Sequence, residues 1–291
     1  MALYAGTSTN SISILAPGTN ADRPASPANG TLRFNTTTNS LDGYSTSWSN
    51  ILQPSIVTSG LVLSLDAGNT ASYPGSGTTW TDLSGNNNNG TLTNGPTFSQ
   101  NNNGYFTLNG STQYISIGSQ SIVGAGSSPF TGELWWYNTR TLANGSYVMP
   151  VRVKQDSEFF LALYSPSGTY NLYGVFRGAT QWGTPVTASD FINKWICIHF
   201  GYTGGDKNTA SSYKVWVNGV QIATGTNNYG AAGGTGSNCN LIGADGNSGC
   251  NTFFTNGFIN GNVSVYKLYN RLLTDTEILQ NFNVIRGRYG V

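Results

Sequence analysis

The most constraining feature of the sequence is the pair Asn218-Gly219, which separates two runs of alternating apolar and polar residues. Such a pair predicts a type I′ hairpin, because both central residues need a positive φ that Asn tolerates and Gly adopts freely. The two-residue loop fixes the register, which predicts the pairs Val217–Val220, Trp216–Gln221, Val215–Ile222 and Lys214–Ala223. Side chains alternate across a strand, so one predicted face is apolar, with Val215, Val217, Val220 and Ile222. The other is solvated and carries Trp216.

An isolated hairpin is marginal in water, so residues 213–225 must belong to a larger sheet that is packed on a second sheet. Other strand-like runs recur along the chain, separated by turn residues and with no helical period between them. This pattern favours a β-sandwich or barrel over βαβ units. The further predicted strands are 61–65, 105–108, 114–117, 130–137, 159–164, 170–176, 194–202, 241–243, 258–259 and 263–269. Residues 105–108 and 114–117 are expected to pair across Asn109-Gly110, and 159–164 with 170–176.

Residues 1–56 differ in composition from residues 57–291, and we predict two domains with this boundary. The sequence of residues 1–56 predicts one small hairpin with few apolar side chains. They are Leu32, Phe34, Leu41, Tyr44 and Trp48. So few apolar side chains cannot bury enough surface for independent folding. We therefore expect this segment to assemble with other chains or with the domain that follows.

One short helix is predicted near the C-terminus. Thr274 and Glu277 have the spacing of a capping box, and Asp275 adds negative charge at the positive end of the helix dipole. Leu273, Ile278 and Phe282 form its apolar stripe.

Charge and composition exclude several classes of protein. Charged residues make up 9% of the chain, against a usual value of about 25%, and the net charge is +1. No Lys/Arg cluster provides the basic surface that nucleic acids require. No apolar run reaches the roughly 18 residues that suggest a membrane span. No positively charged region precedes the first apolar patch, so no secretory signal is expected.

Four segments together carry a family resemblance. They are GLVLSLDAGNTASYPGSGTTWTDLSGNNNNGTL at 60–92, YFTLNGSTQYISI at 105–117, KVWVNGVQIATG at 214–225 and FINGNVSVYKLYNRLLTDTEILQNF at 258–282. In order and spacing they resemble the concanavalin A-like, laminin-G-like jelly-roll sandwich. The first segment is most similar to domains in structural proteins of tailed bacteriophages, cyanophages among them. ADRPASPANGTLRFNTTTNSLDGYSTSWSNI at 21–51 is similar to modules of phage tail-fibre and other virion proteins. The resemblance implies an all-β virion protein that is assembled in the host cytoplasm with other virion proteins.

The sequence offers little support for catalysis. A glycosidase needs two carboxylates flanking the bond, and Asp156 and Glu158 have a suitable spacing on one strand. A polar entry to the strand that begins at Phe159-Phe160 is the stronger explanation of these two acids. Glu133 is the sole acid in its strand, and the acid ladder of glycosidases with this fold is absent. His199, the single histidine, alternates with apolar neighbours, which is typical of a partly buried structural side chain. We expect no enzyme.

Metal binding and disulfide formation remain open in the sequence. Calcium requires six to eight oxygen ligands, to which Asp66, Asp82 and Asp245 could contribute from loops. Asx turns are the alternative role for these aspartates. No cofactor is otherwise indicated. Cys197 lies in an apolar run and is expected in the core. Cys239 and Cys250 could pair or could both remain reduced.

Carbohydrate binding is the function that the fold resemblance implies. Trp216 and Tyr137 are predicted as aromatic platforms for a sugar ring, with Asn218, Asn247 and Asn251 as polar partners. The alternative is that both aromatic side chains pack beneath a loop or a neighbouring subunit. The sequence thus predicts a virion appendage or fibre that contacts host-surface glycan, as a homo-oligomer for which a trimer is a common arrangement. A capsid decoration or cement protein is the alternative, and a glycan-degrading enzyme is the outside case.

Overall fold

A computed structural model describes residues 14–37, 40–50, 55–119, 122–124, 128–154, 158–175, 182–204, 211–227, 239–246 and 252–291. The chain divides into two compact units, Met1–Ser55 and Ile56–Val291. Over these ranges, no helix is both long enough and apolar enough to cross a membrane.

The first unit contains a four-stranded sheet of order β1-β2-β3-β4. Its strands are β1 (Ile14–Gly18), β2 (Thr31–Asn35), β3 (Ser40–Tyr44) and β4 (Trp48–Asn50). The predicted hairpin is present as the antiparallel pair of β2 and β3. Sequence analysis missed β4, which extends the hairpin, and β1, which pairs with β2 in parallel. The short strands β1 and β4 lack the apolar alternation that would reveal them.

The two faces of this small sheet differ in polarity. Thr31, Arg33 and Asn35 alternate along β2 and are buried, whereas Phe34 on the other face is 39% exposed. Arg33 Nη2 donates to the Thr19 carbonyl at 3.1 Å, so the segment that follows β1 contacts the polar face. Asp42 lies opposite Arg33 across the strands and accepts bonds from neighbouring polar side chains.

The five predicted assembly residues are divided between the two faces of the sheet. Leu32 and Phe34 lie two residues apart on β2 and so share one face, and Leu41 pairs with Phe34 across the strands. These three side chains therefore lie on the apolar face. Tyr44 and Trp48 pair on the opposite face, with ring centroids 5.5 Å apart. Trp48 donates there to the Pro24 carbonyl.

The second unit is a sandwich of two eight-stranded sheets. Its strands are β5 (Leu61–Asp66), β6 (Thr79–Trp80), β7 (Gly90–Thr93), β8 (Thr97–Ser99), β9 (Tyr105–Asn109), β10 (Tyr114–Ser116), β11 (Phe130–Asn138), β12 (Ser146–Lys154), β13 (Glu158–Ser165), β14 (Tyr170–Val175), β15 (Trp182–Val186), β16 (Trp195–Tyr202), β17 (Ser211–Val217), β18 (Val220–Asn227), β19 (Cys239–Ile242) and β20 (Asn260–Tyr269). Its two α-helices are α1 (Ala188–Phe191) and α2 (Asp275–Ile285). The all-β sandwich prediction is confirmed.

We call the two layers the groove sheet and the helix sheet. The groove sheet has the order β15-β14-β13-β12-β19-β10-β7-β6. The helix sheet has the order β18-β17-β16-β11-β20-β9-β8, with β5 also paired to β20. The main core lies between them, where Leu134 and Trp136 of the helix sheet belong to the same cluster as Leu161 and Leu163 of the groove sheet. The predicted alternation of β11 is thereby confirmed, because Trp135 faces away from this core into another cluster.

The central hairpin is formed by β17 and β18, and its turn has the predicted positive φ values, 51° at Asn218 and 78° at Gly219. The pairs nearest the turn, Val217–Val220 and Trp216–Gln221, are as predicted. Beyond them a β-bulge shifts the register, so that Val215 pairs with Ala223 and Lys214 with Thr224. The bulge is an extra residue that loop geometry alone does not reveal. Val220, predicted in the core, is 65% exposed.

The predicted pairing of residues 105–108 with 114–117 is wrong. The first segment, β9, pairs with β8 and β20 of the helix sheet, whereas β10 pairs with β7 and β19 of the groove sheet. The connection therefore crosses between layers. The Asn109 side-chain oxygen accepts from the backbone N–H groups of Ser111, Thr112 and Gln113, and this holds the chain in a wider turn than a hairpin.

Helix α2 follows the predicted capping box. The Thr274 side chain accepts from the Glu277 N–H at 3.3 Å, and Glu277 accepts in return from the Thr274 N–H at 2.9 Å. Ile278 and Phe282 are buried in clusters that include outward-facing side chains of the helix sheet. The helix therefore covers the outer face of that sheet and leaves the outer face of the groove sheet without it.

Candidate functional site

Trp216, the predicted aromatic platform, is 1% exposed. It lies on the outer face of the helix sheet, where Leu273 and Ile278 pack in the same cluster, and its Nε1 is 3.2 Å from Asp275 Oδ1. Helix α2 covers this part of the face, which was predicted to be solvated, whereas Gln221 opposite Trp216 is exposed. Trp216 has no open ring face for a sugar.

The other predicted glycan-binding residues are also engaged in the fold or lie elsewhere. Tyr137 is half-buried and meets Trp195 edge-on, with ring centroids 5.7 Å apart. The Asn218 side chain accepts from the Cys197 N–H at 2.9 Å and so ties the hairpin turn to β16. Asn247 and Asn251 lie outside the described residues.

The three aspartates predicted for calcium each hold a separate part of the fold. Asp66 and Asp82 accept the N–H groups two residues ahead, those of Gly68 and Ser84, as Asx turns do. Asp66 also pairs with the Arg288 guanidinium at 2.7 and 2.9 Å. Asp245 is engaged with cationic and phenolic groups of the groove sheet, described below.

A groove of about 350 Å³ lies on the outer face of the groove sheet. It is formed by alternate residues of β12, β13 and β14, whose intervening residues Val151, Leu161 and Leu172 point into the core. The residues that line it are Tyr147, Met149, Arg152, Phe160, Ala162, Tyr164, Tyr173 and Asp245. The β13–β14 hairpin and the pairing of β12 with β13 place them side by side.

Aromatic rings form the walls of this groove and a small residue lies between them. Tyr173 pairs across the strands with Ala162, which is almost wholly buried. The Tyr173 ring centroid is 5.7 Å from that of Tyr164 and 5.8 Å from that of Phe160, with the planes tilted by 53° and 38°. The three rings are half-buried and inclined to each other, so they do not stack on one another.

A buried ion pair closes one side of the groove. Arg152 Nη1 donates to Asp245 Oδ1, and Tyr147 donates its hydroxyl to Asp245 Oδ2 at 2.8 Å. Arg152 is 7% and Asp245 5% exposed. Burial and the neighbouring Asp245 carboxylate hold the pKa of Tyr147 well above its ordinary value, so its proton remains available to that carboxylate.

Sequence reasoning missed the groove although part of its signal was present. The hairpin around residues 165–168 was predicted, and alternation along it places Phe160, Tyr164 and Tyr173 on the face opposite to the leucines. The two predicted aromatic platforms, Trp216 and Tyr137, lie on the other sheet. The Arg152–Asp245 pair joins residues 93 positions apart, which no local pattern indicates.

A second polar cluster is buried beneath α2. Glu133 Oε1 accepts from Lys267 Nζ at 2.7 Å, and Oε2 accepts from Asn281 Nδ2 at 3.1 Å. His199 Nε2 lies 3.4 Å from Oε2 without hydrogen-bond geometry, so Lys267 is the stronger partner. Burial alone would raise the pKa of Glu133, but the neighbouring Lys267 ammonium outweighs it and holds that pKa far below its usual range.

This buried cluster is unsuited to substrate or metal. Glu133, Cys197 and His199 have ligand atoms within 4.8 Å of one another, but the Lys267 ammonium already occupies the carboxylate that a metal ion would need. Burial raises the pKa of the Cys197 thiol, which keeps it in the protonated form that metals do not bind. Glu133 and His199 are both wholly buried. The expectation of a structural histidine fits this position.

The cysteines are divided between the two sheets. Cys197 is a free buried thiol, as expected of a small core residue. Cys239 is disulfide-bonded, and Cys250 lies outside the described residues.

Comparison with known proteins places the sandwich in a family. The laminin G-like family model described as the Concanavalin A-like lectin/glucanases superfamily matches residues 109–279, which is more than half of the chain. No curated protein sequence matches the chain.

Solved structures with the same fold share little sequence with it. Domain 4 of AbnA, a GH43 extracellular arabinanase from Geobacillus stearothermophilus, was solved in complex with arabinotriose. It aligns with a TM-score of 0.51 at 14% identity over 76% of this chain and 97% of that one. The binding domain of botulinum neurotoxin DC in complex with SialylT aligns with a TM-score of 0.57 at 13% identity over 78% of this chain. The chain spans about half of that domain, 52%.

The family match and the two-layer topology agree. The chain belongs to the concanavalin A-like lectin and glucanase superfamily.

Proposed function

We propose that the sandwich binds carbohydrate in the groove lined by Tyr164, Tyr173 and Phe160. The observation that carries the proposal is an open groove that is lined by aromatic side chains. A buried ion pair forms one side of this groove. Sugar rings present apolar C–H faces to aromatic side chains and hydroxyl groups to polar ones. The side chains of Tyr164 and Tyr173 line the groove and bring two phenol groups to it.

Two structural relatives support a saccharide as the ligand. One was solved with arabinotriose, and another, a toxin binding domain, with SialylT. Binding without catalysis is favoured because Asp245 is the one carboxylate among the described residues that line the groove, whereas glycosidases use two. Asp156 lies outside the described residues.

Truncation of a groove tyrosine tests this proposal. We expect Tyr173→Ala to weaken glycan binding at least about tenfold, because removal of a central aromatic anchor commonly costs about 2 kcal/mol. Tyr173→Phe should retain most of the affinity, since it keeps the ring and loses one neutral hydrogen bond of about 1 kcal/mol. A glycan array with purified protein identifies the ligand, and titration calorimetry then compares the variants.

Tyr137→Ala is the matched control, because Tyr137 is also half-buried but lies on the outer face of the helix sheet. Its affinity should equal that of the wild type. If Tyr137→Ala abolished binding and Tyr173→Ala did not, the groove would be the wrong site. If no glycan bound the folded protein, the lectin-like function would be wrong.

We also propose that the chain is a phage virion protein, a surface appendage or fibre that reaches host-surface glycan through the groove. The resemblance of residues 21–51 and 60–92 to virion proteins supports this setting. In the first unit, Phe34, Leu41 and Leu32 share one sheet face, and Ile14 pairs with Leu32 and is 65% exposed. This apolar face is suited to contact other copies of the chain or other virion proteins, with a trimer as one arrangement common in fibres.

A decoration protein without a ligand is the alternative within the same setting. Addition of the isolated protein to host cells before infection discriminates the two. An appendage that binds glycan should compete with phage adsorption, and Tyr173→Ala should compete less. A decoration protein would leave adsorption unchanged, and its loss would reduce the stability of the phage head.

A further inference from the structure

We infer that the groove selects uncharged saccharides, and that Asp245 imposes this selection by neutralising Arg152. The inference rests on the proposed carbohydrate function of the same groove. Arg152 and Asp245 are the charged residues among the described residues that line it, and they form an ion pair with each other.

Hydrogen bonds and burial both stabilise the Arg152–Asp245 ion pair. Each carboxylate oxygen of Asp245 already accepts a hydrogen bond, one from Arg152 and one from Tyr147. Both charged side chains are more than nine-tenths buried. An anionic sugar would have to displace the Asp245 carboxylate to reach the guanidinium, and breaking a buried ion pair is costly. A carboxylate in the groove would otherwise lose its hydration without gaining a cation.

The remaining polar groups of the groove suit neutral hydroxyls. Burial, together with the neighbouring Tyr164, raises the pKa of Tyr173, so this phenol stays un-ionised at neutral pH. An un-ionised phenol donates one hydrogen bond and accepts others, as a sugar hydroxyl does. The groove therefore matches an uncharged saccharide in hydrogen bonding as well as in net charge.

Gly257 is the positioning residue for this arrangement. It ends a short 3₁₀ helix, Thr255–Gly257, that lies directly against Asp245, and a Cβ atom at position 257 would fall 2.2 Å from Asp245 Cβ. The Asp245 carbonyl also accepts from the Phe254 N–H at 3.0 Å. Any larger residue at position 257 must push Asp245 away from its place beside Arg152.

Paired oligosaccharides test the selectivity of the wild-type protein. Galacto-, gluco- and manno-oligosaccharides are compared with the corresponding uronic-acid oligosaccharides of equal length, by titration calorimetry at low ionic strength. We expect the neutral member of a bound pair to bind more tightly. If a uronate bound as tightly or more tightly, neutral selectivity would be wrong while carbohydrate binding would stand. If no member of the panel bound, the proposed function would fail and this inference with it.

Asp245→Asn then tests the cause, because it preserves shape and removes the neutralising charge. We expect uronate affinity to rise about tenfold or more, as one hydrogen bond to a charged group is of that order, and the gain to shrink with added salt. No gain in a folded variant would show that Asp245 does not set selectivity. If Asp245→Asn failed to fold, the wild-type comparison would still decide the neutral preference.

Gly257→Ala provides a second variant that leaves both charged residues in place. It should shift selectivity toward uronates in the same direction as Asp245→Asn. Gly287→Ala is the matched control, because a Cβ there would have no atom within 4 Å, and it should keep wild-type selectivity. Wild-type selectivity in Gly257→Ala would exclude a positioning role for Gly257.

Discussion

At the scale of single residues, a network of charged and polar side chains is buried beneath α2. Glu133 is wholly buried, and the Lys267 ammonium and the Asn281 amide contact its two oxygens. Asn281 also accepts from the Val57 N–H at 2.8 Å, and Tyr269 donates to the Val57 carbonyl at 3.0 Å. The network therefore fixes helix α2 and the start of the second unit to the helix sheet.

Removal of one charge from this network should be strongly destabilising. We expect Lys267→Met to lower the free energy of unfolding by about 3–5 kcal/mol, because it leaves the Glu133 carboxylate buried without its cation. Chemical denaturation followed by tryptophan fluorescence measures the change. Lys194→Met is the matched control, since its partner Asp190 is 3.6 Å away and both side chains are exposed. That variant should lose at most about 1 kcal/mol. Equal losses in the two variants would contradict the importance of the buried pair.

At the scale of elements, the C-terminal helix is defined by its first turn. Glu277 closes the capping box with Thr274 and also accepts from both terminal nitrogens of Arg271, at 2.9 and 2.6 Å. The hydrogen bonds from Arg271 outweigh partial burial and lower the pKa of Glu277 to about 2. The helix is thus stabilised by a carboxylate that must be ionised.

This depressed pKa predicts an acid-sensitive helix. A carboxyl group with a lower pKa in the folded state stabilises the protein above its unfolded pKa and loses this effect as pH falls toward the folded value. The stabilisation by Glu277 is therefore complete above about pH 4.5 and lost as pH falls to about 2. Glu277→Gln keeps a capping amide but no charge, so its deficit in unfolding free energy should be largest above about pH 4.5 and smallest near pH 2.

Unfolding curves of both proteins at a series of pH values measure this deficit. Asp190→Asn, which removes an exposed acid outside α2, serves as the control and should not reproduce the pH dependence. A deficit that is constant over this range would show that the charge on Glu277 does not stabilise the helix.

At the scale of the whole molecule, the two units have different sources of stability. The second unit has a continuous apolar core between its sheets. The first has a polar buried face, with Arg33 1% and Asp42 1% exposed, and an apolar face on which Phe34 remains 39% exposed. A unit of this size with so small a core needs further contacts to be stable.

Deletion of the first unit tests this division. We expect a chain beginning at Ile56 to fold, because it retains the Val57 contacts and the whole sandwich core, and to bind glycan as the full chain does. If the apolar face of the first unit mediates assembly, the full chain should be oligomeric and the shortened chain monomeric by light scattering. Phe34→Asp in the full chain should likewise reduce the oligomer. An oligomer that persisted in the shortened chain would contradict the assembly role of the first unit.

Local patterns predicted most elements of the sandwich. The Asn218-Gly219 turn, the hairpin around residues 165–168 and the capped helix α2 each depend on residues close together in sequence, and each is present. The layer exchange at Asn109 and the bulge in the central hairpin were missed. Both are decided by which strands are available as neighbours, and this is a long-range property of the chain.

Local patterns predicted the candidate site less well than they predicted the strands and turns. Alternation correctly gave two faces to β11, but it could not say which outer face α2 would cover. Trp216 was expected in solvent and is buried beneath that helix. The aromatic groove lies on the outer face of the groove sheet, which α2 does not cover.

The all-β class, the turns and the capped helix follow from the amino-acid sequence alone, because each depends on the preferences of neighbouring residues. Where a ligand can reach the molecule depends on tertiary packing. This packing buries Trp216 beneath α2, leaves the groove open on the other sheet, and brings Asp245 to Arg152. These outcomes depend on the packing of segments that are far apart in the chain. Local sequence patterns do not predict such packing.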